Sequence, residues 1–464
     1  MSRKLLLLIL VLECMLLLCQ CARTSPEDTV STRQTGPDPT HTEVTGPEVT
    51  EPEVTEPLPT VPEDPEFEEL MAMGDLYITT TGSIKGEYTQ ATVSMVWENG
   101  GIEEQIAQIR HRGYTSSFAN KKSYNIKFES KESVMGMPKG KKWTFLGNPY
   151  DKSLLRSVVG FSYGQAVGLE YTSEFRFCRL WLNGEYRGVY LIVEPIDIGN
   201  GRVDIDEDAG DFIVERNNTR EEDGVTYIKT NGGLRFEMSD PDEVTQEQAN
   251  AYLAVLNEIE AAIRAKDYAT YSQVIDVDSF VNFYIFQEMI KDIDFARFST
   301  RYYVCGGILY AGPPWDFDLS MGNISTSYIE SNYKRYGNRD GYGNGSGDST
   351  QALWAQKDFY QWLCKDDYFM QLVAARWQEL RPITENLFRD NELGTNLLDR
   401  YLDAYLTDLE GNYSEAGWTV SKPLLQLEYN YPAADYVGNV ELLRAWLGKR
   451  MEWLDTQFGT GAEG

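Results

Sequence analysis

Six segments between Leu76 and Pro195 alternate apolar and polar residues: LYITTTG, EYTQATVSMVWE, IEEQIAQIRHRG, KSYNIKFES, FRFCRLWLNG and YRGVYLIVEP. A period of two, punctuated by Gly and Asn-Gly, predicts β-strands with one buried face. Leu182-Asn183-Gly184-Glu185 carries the Asn-Gly pair that two-residue hairpins favour. Beyond Glu243 the period lengthens. Glu243–Asp267 places Ala249, Leu253, Leu256 and Ile259 on one helical face, and a second helix is expected from about Val277 to Lys291. From Gln351 onward the pattern is mainly helical, with Trp354, Trp362, Leu363, Phe369, Leu372, Trp377 and Leu380 as expected core. The fold class read from this order is α+β, a β-rich N-terminal lobe followed by a mainly helical C-terminal lobe.

The ends of the pattern set the organisation. Arg3 and Lys4 precede an apolar run, LLLLILVLECMLLLC, too short for a typical membrane span, so residues 1–21 read as a signal peptide. Either Cys19 or Cys21 is placed to carry lipid, as in a bacterial surface lipoprotein. Residues 22–67 repeat Val, Thr, Pro and Glu with almost no aromatic residues, and read as an extended, disordered linker. Residues 68–464 are the folded part, long enough for two lobes around one cleft.

The densest chemistry lies between Glu288 and Gly322, EMIKDIDFARFSTRYYVCGGILYAGPPWDFDLSMG. This reads as a helix end, an acidic turn at Asp292 and Asp294, a β-hairpin, and a second acidic turn at Asp316 and Asp318. Two carboxylate pairs a hairpin apart suit magnesium-dependent phosphoryl transfer: one carboxylate orients the hydroxyl, and the other holds the metal on the phosphates. Protein kinases use this order, with an Asn five residues after the catalytic Asp. Here that position, counted from Asp294, is Ser299.

These residues resemble the CotH kinase family of atypical protein kinases. The family pattern is a helix ending in Asn-x-Asp, a Tyr-rich strand, and a Trp-Asp-x-Asp turn closed by Gly. This chain has Asp292-Ile293-Asp294, Tyr302-Tyr303, Trp315-Asp316-Phe317-Asp318 and Gly322. Upstream, Ile109–Phe128 is similar to the family's Arg-Gly and Lys-Lys-x-Tyr segment, Leu146–Ser157 to its Asp-Lys-x-x-x-Arg segment, and Asn183–Asp197 to its strand ending in Glu. The resemblance implies an atypical protein-kinase-like fold binding ATP with Mg2+ or Mn2+. It implies Asp294 as the residue that orients the substrate hydroxyl, and Asp316 and Asp318 as metal ligands, with Ser299 where some relatives carry Asn. It further implies that Lys121 or Lys122 meets the phosphates with Glu194 as ion partner, and that Arg112 and Arg156 add positive charge.

Composition narrows the alternatives. Of the net charge of -30, residues 22–69 carry 13 acidic and 2 basic residues, so the folded part also remains strongly acidic. That argues against nucleic acid as a partner and is compatible with a basic protein substrate. His111 is the one histidine outside the linker, which leaves little for a Ser-His-Asp hydrolase or a His-based zinc site. No Walker A or dinucleotide-binding glycine pattern is present. Cys178, Cys305 and Cys364 cannot all pair, so buried free thiols are expected instead of a disulfide framework. The expected protein is a secreted, lipid-anchored kinase acting on Ser or Thr of a protein, touching the membrane through its anchor alone. The alternative is a catalytically silent surface module binding protein or carbohydrate through the Tyr-rich loop, residues 327–349, with Tyr328, Tyr333, Tyr336 and Tyr342.

Overall fold

The computed structural model describes residues 70–459, apart from 114, 200, 219–220, 222, 242, 325–348, 351–352, 423 and 425–431. The signal peptide, the linker and all but the last residue of the Tyr-rich loop expected above lie outside the described residues. The mixed α+β class is as the periodicity predicts. Its β-rich part is a closed barrel of seven strands: β1 (Gly74–Thr79), β2 (Thr89–Trp97), β3 (Gly100–Arg112), β4 (Ser123–Glu132), β5 (Gly140–Leu146), β6 (Phe175–Leu182) and β7 (Glu185–Val193). The neighbour order is β1-β2-β3-β4-β5-β7-β6, and a parallel pairing of β1 with β6, Gly74 opposite Cys178, closes it. Alternation places Leu76, Ile78, Val93, Ile109, Ile126, Trp143, Leu180 and Ile192 inside. The β6–β7 hairpin turns through Asn183 (φ +52°) and Gly184 (φ +82°), both in the left-handed region such turns require.

Helix α1 (Arg156–Ala166) lies between β5 and β6 in sequence. A second sheet, of antiparallel pairs, follows: β8 (Phe212–Arg216), β9 (Tyr227–Lys229) and β10 (Arg235–Asp240), completed by the hairpin β11 (Arg301–Cys305) and β12 (Ile308–Ala311) in the order β12-β11-β8-β10-β9. The helices are α2 (Gln246–Ala265), α3 (Tyr268–Tyr271), α4 (Val277–Ile290), α5 (Tyr360–Leu363), α6 (Asp367–Glu385), α7 (Leu397–Ser414) and α8 (Tyr436–Phe458). Helix α2 starts at a capping box between Thr245 and Gln248. Helix α4 is buried at every position from Phe280 to Ile290, the signature of a central helix. It packs with α1, α6 and α8 in the main core, where Trp354, Leu363, Phe369, Trp377 and Leu380 are buried and Trp362 is half-buried. Among the described residues no helix is long and apolar enough to cross a membrane. All three cysteines there are free, Cys178 buried and the other two half-buried.

Strand β5, helix α1 and strands β8 to β10 do not stand out in the periodicity. Short segments carry few repeats. In α1, two glycines and a Val-Val pair oppose helix propensity, and tertiary packing overrides it.

Candidate functional site

The end of α4 builds the first acidic turn. Lys291 adopts the left-handed conformation (φ +45°) that stops the helix and turns Asp292 out of it. The buried Asp292 carboxylate accepts the Asp294 backbone N–H at 3.0 Å, and the Asp292 carbonyl accepts Trp354 Nε1 at 2.6 Å. The Asp294 carbonyl accepts the N–H groups of Arg297 (2.8 Å) and Phe298 (2.9 Å), so half-buried Asp294 sits on a tight, hydrogen-bonded turn. Ser299 then takes φ +54°, and its N–H donates to Glu215 on β8 at 2.9 Å.

The second acidic turn is docked onto the first. After β12, Asp316 takes φ +68°, and Phe317 lies against Gly160 of α1, where a Cβ would sit 2.4 Å from the ring. The N–H of Met321 donates to the carbonyl of Ile290, the last residue of α4, at 2.7 Å. This backbone bond helps hold the two turns side by side. Ser299 Oγ lies 3.4 Å from Asp316 Oδ2, and Ala119, Tyr150, Ile293, Leu319 and Ile324 form a small apolar cluster beneath them.

The result is a concentration of negative charge. Asp318 is held well above the usual carboxylate range by burial and then by Asp316, Asp151 and Asp294, with Arg112 opposing. Asp292 is raised in the same way, first by burial and then by Asp294. Among the described residues no three acidic, His or Cys side chains already form a metal cage. The all-oxygen donor set nevertheless suits a hard divalent cation, and the mutual repulsion of the carboxylates is what such a cation would relieve.

The cationic residues divide into two groups. Half-buried Arg112, at the end of β3, faces the acidic turns: burial lowers its pKa, while Asp316, Asp318 and Glu215 oppose that shift. Its guanidinium lies 5.5 Å from the Trp315 ring centroid. Arg156 is a brace. It pairs with Asp151 at 2.6 Å and donates through Nε to the Ser320 carbonyl at 3.1 Å, fixing the second turn to the start of α1. Lys121 is buried and donates to the Val189 carbonyl (2.6 Å) and to Asn412 Oδ1 of α7 (2.7 Å), with burial driving its pKa well down. It borders a cavity of about 260 Å³ shared with Asn120, Asn148, Tyr413 and Trp418. Lys122 instead donates to the Ser117 carbonyl at 2.5 Å.

Glu194 is paired with neither lysine. Its Oε2 accepts the Glu174 N–H at 3.1 Å, while its Oε1 is buried without a hydrogen-bond partner among the described residues. Burial raises its pKa to about 7, above the ordinary 4.5. A carboxyl that keeps its proton longer when folded makes stability fall as pH rises from the unfolded value to the folded one, here between 4.5 and about 7. Glu194→Gln is therefore expected to gain stability over the native protein at pH 8, on the order of 1–3 kcal/mol, and little at pH 4. Urea unfolding at both pH values checks this, and an equal difference at the two would refute it.

Two contributors escaped the sequence reading, Glu215 and Asn412, while a third, Asp151, was seen as the first residue of the Asp-Lys-x-x-x-Arg segment but given no role. It lies five residues before Arg156, one turn ahead of a helix, and the two pair. Asn412 follows Gly411 inside α7, and two poor helix formers in a helix interior flag a tertiary duty. Glu215 carries no such local signal.

Comparison with known proteins adds one finding. A family model described as CotH kinase protein matches residues 109–454, from β3 to the last turns of α8. No curated protein matches the chain significantly.

Proposed function

The chain belongs to the CotH kinase family, a kinase-like protein, and from that premise we propose that it transfers the γ-phosphoryl group of ATP to a Ser or Thr hydroxyl of a protein. The observation that carries this reading is the bond from Met321 N–H to the Ile290 carbonyl, which sets Asp292 and Asp294 beside Asp316 and Asp318. Asp294 orients the acceptor hydroxyl and takes its proton as the new O–P bond forms and the bond to ADP breaks. Asp316 and Asp318 are the residues to hold a divalent cation, with Ser299 Oγ adjoining; when bound, that cation would supply charge neutralisation at the phosphates. Arg112 supports the same charge from the barrel side, and Arg156 keeps the second turn in place.

If these carboxylates hold the metal that bridges the phosphates, ATP is expected to stabilise the fold only with a divalent cation present. At a hundredfold excess over its dissociation constant the gain is about 2.7 kcal/mol. Thermal unfolding with ATP and magnesium, against ATP and EDTA, checks this. An equal shift in EDTA, or none in either, counts against the reading. Incubation with labelled ATP and a generic basic protein then separates an enzyme from a silent binding module: binding without transfer identifies the latter.

A further inference from the structure

Arg301, which opens β11, has no part in the reading above. Its Nη2 pairs with Glu215, the same carboxylate whose other oxygen accepts the Ser299 N–H at 2.9 Å. Its Nε and Nη1 are buried and have no hydrogen-bond partner among the described residues. A guanidinium carries five N–H donors, and leaving buried ones unmade is costly. The guanidinium lies 5.7 Å from the Trp315 ring centroid, the same indole that carries Arg112 at 5.5 Å. Two like charges therefore share one aromatic ring, and Arg301 is one of the groups lowering the pKa of Arg112. Across from them stand Asp316 and Asp318, close enough to act on Arg112 electrostatically, yet neither forms a contact ion pair with it.

Unmatched donors on one side and crowded carboxylates on the other define the complement of a multivalent anion bound with a cation. Guanidinium forks match phosphate oxygens in pairs. We infer that Arg301, together with Arg112, is a phosphate-binding clamp on Trp315 that grips the terminal phosphates of the nucleotide. This rests on the kinase reading and adds a residue to it. The clamp recognises phosphate rather than adenine, so its loss should weaken polyphosphate binding and leave the nucleoside end untouched.

The experiment measures calorimetric binding of tripolyphosphate, ATP and AMP, with magnesium, to the native protein and to Arg301→Gln and Arg301→Lys. Losing a pair of charge-assisted hydrogen bonds corresponds to roughly a tenfold to hundredfold weaker affinity. That loss is expected for tripolyphosphate and ATP with Arg301→Gln, with AMP affinity unchanged. Arg301→Lys keeps a charge for Glu215 and should melt near the native temperature, yet it cannot fork onto phosphate, so it too should bind tripolyphosphate more weakly. If Arg301→Gln unfolds, the Lys variant carries the test. Native-like tripolyphosphate affinity in a folded variant overturns the clamp alone. A native protein that binds neither ATP nor tripolyphosphate overturns the kinase reading and the clamp together.

Discussion

Asp294→Asn is expected to lower phosphoryl transfer by at least about a hundredfold while leaving nucleotide affinity largely intact, because positioning and electrostatics supply almost all the catalysis in this reaction class. The amide keeps the side-chain shape but can no longer accept the hydroxyl proton. The turn should survive, since the Asp294 backbone bonds to Asp292, Arg297 and Phe298 do not involve its carboxylate. Removing one negative charge from the cluster also relieves repulsion on Asp292 and Asp318. Asp318→Asn should differ in kind. On the proposed mechanism it removes one of the two carboxylates assigned to the cation, so the metal-dependent thermal shift with ATP is expected to shrink along with turnover. Initial rates with labelled ATP and melting curves for both variants decide the matter. Native turnover in Asp294→Asn would sink the mechanism, and a large loss of stability in both variants would assign these carboxylates to the architecture.

The largest stability effect is expected at Arg450. Its side chain and that of Glu288 are both fully buried and pair at 2.7 Å. Glu288 also accepts the N–H groups of Trp354 and Ala355 at 2.7 Å each, and Arg450 Nε donates to the Glu288 carbonyl at 2.7 Å. The pair stitches α8 to the last turn of α4, one turn ahead of Asp292. Arg450→Met leaves a buried carboxylate without its counter-charge, at a cost of about 3–5 kcal/mol, a large share of a typical 5–15 kcal/mol stability. Combining it with Glu288→Gln should cost less than the sum of the single changes, because the second change removes the stranded charge. Denaturant midpoints for the three variants test this; a loss below about 1 kcal/mol for Arg450→Met would show that the pair is dispensable.

How much of this was legible depends on how local the cause is. Period-two alternation located six of the seven barrel strands, and the Asn183-Gly184 turn follows from dipeptide chemistry. The two acidic turns stood out because each is a short run ending a predicted element. Their contact was not legible, since a main part of it is the Met321 to Ile290 backbone bond, which any residue type can make. The barrel's closure is likewise silent: β1 meets β6 more than a hundred residues on, and neither strand's pattern names its partner. Lys121 and Lys122 illustrate the same limit. Their sequence invites a phosphate contact, while the burial of Lys121 depends on Asn412, which lies 291 positions downstream.

That last separation has a consequence for how the molecule comes into being. The Asn412 amide oxygen accepts from both Lys121 Nζ and the Val189 N–H, so α7 is fastened to the barrel by groups far apart along the chain. Contacts of such span cannot form until nearly all the polypeptide is available, and high contact order slows folding. A barrel made early in synthesis would wait, with Lys121 holding the Val189 carbonyl but lacking the Asn412 amide, until α7 arrives. Truncation before Asn412 should therefore leave the buried Lys121 ammonium without its amide acceptor and the barrel without its α7 fastening, so folding of the barrel at Val189 is tied to a helix more than two hundred residues downstream.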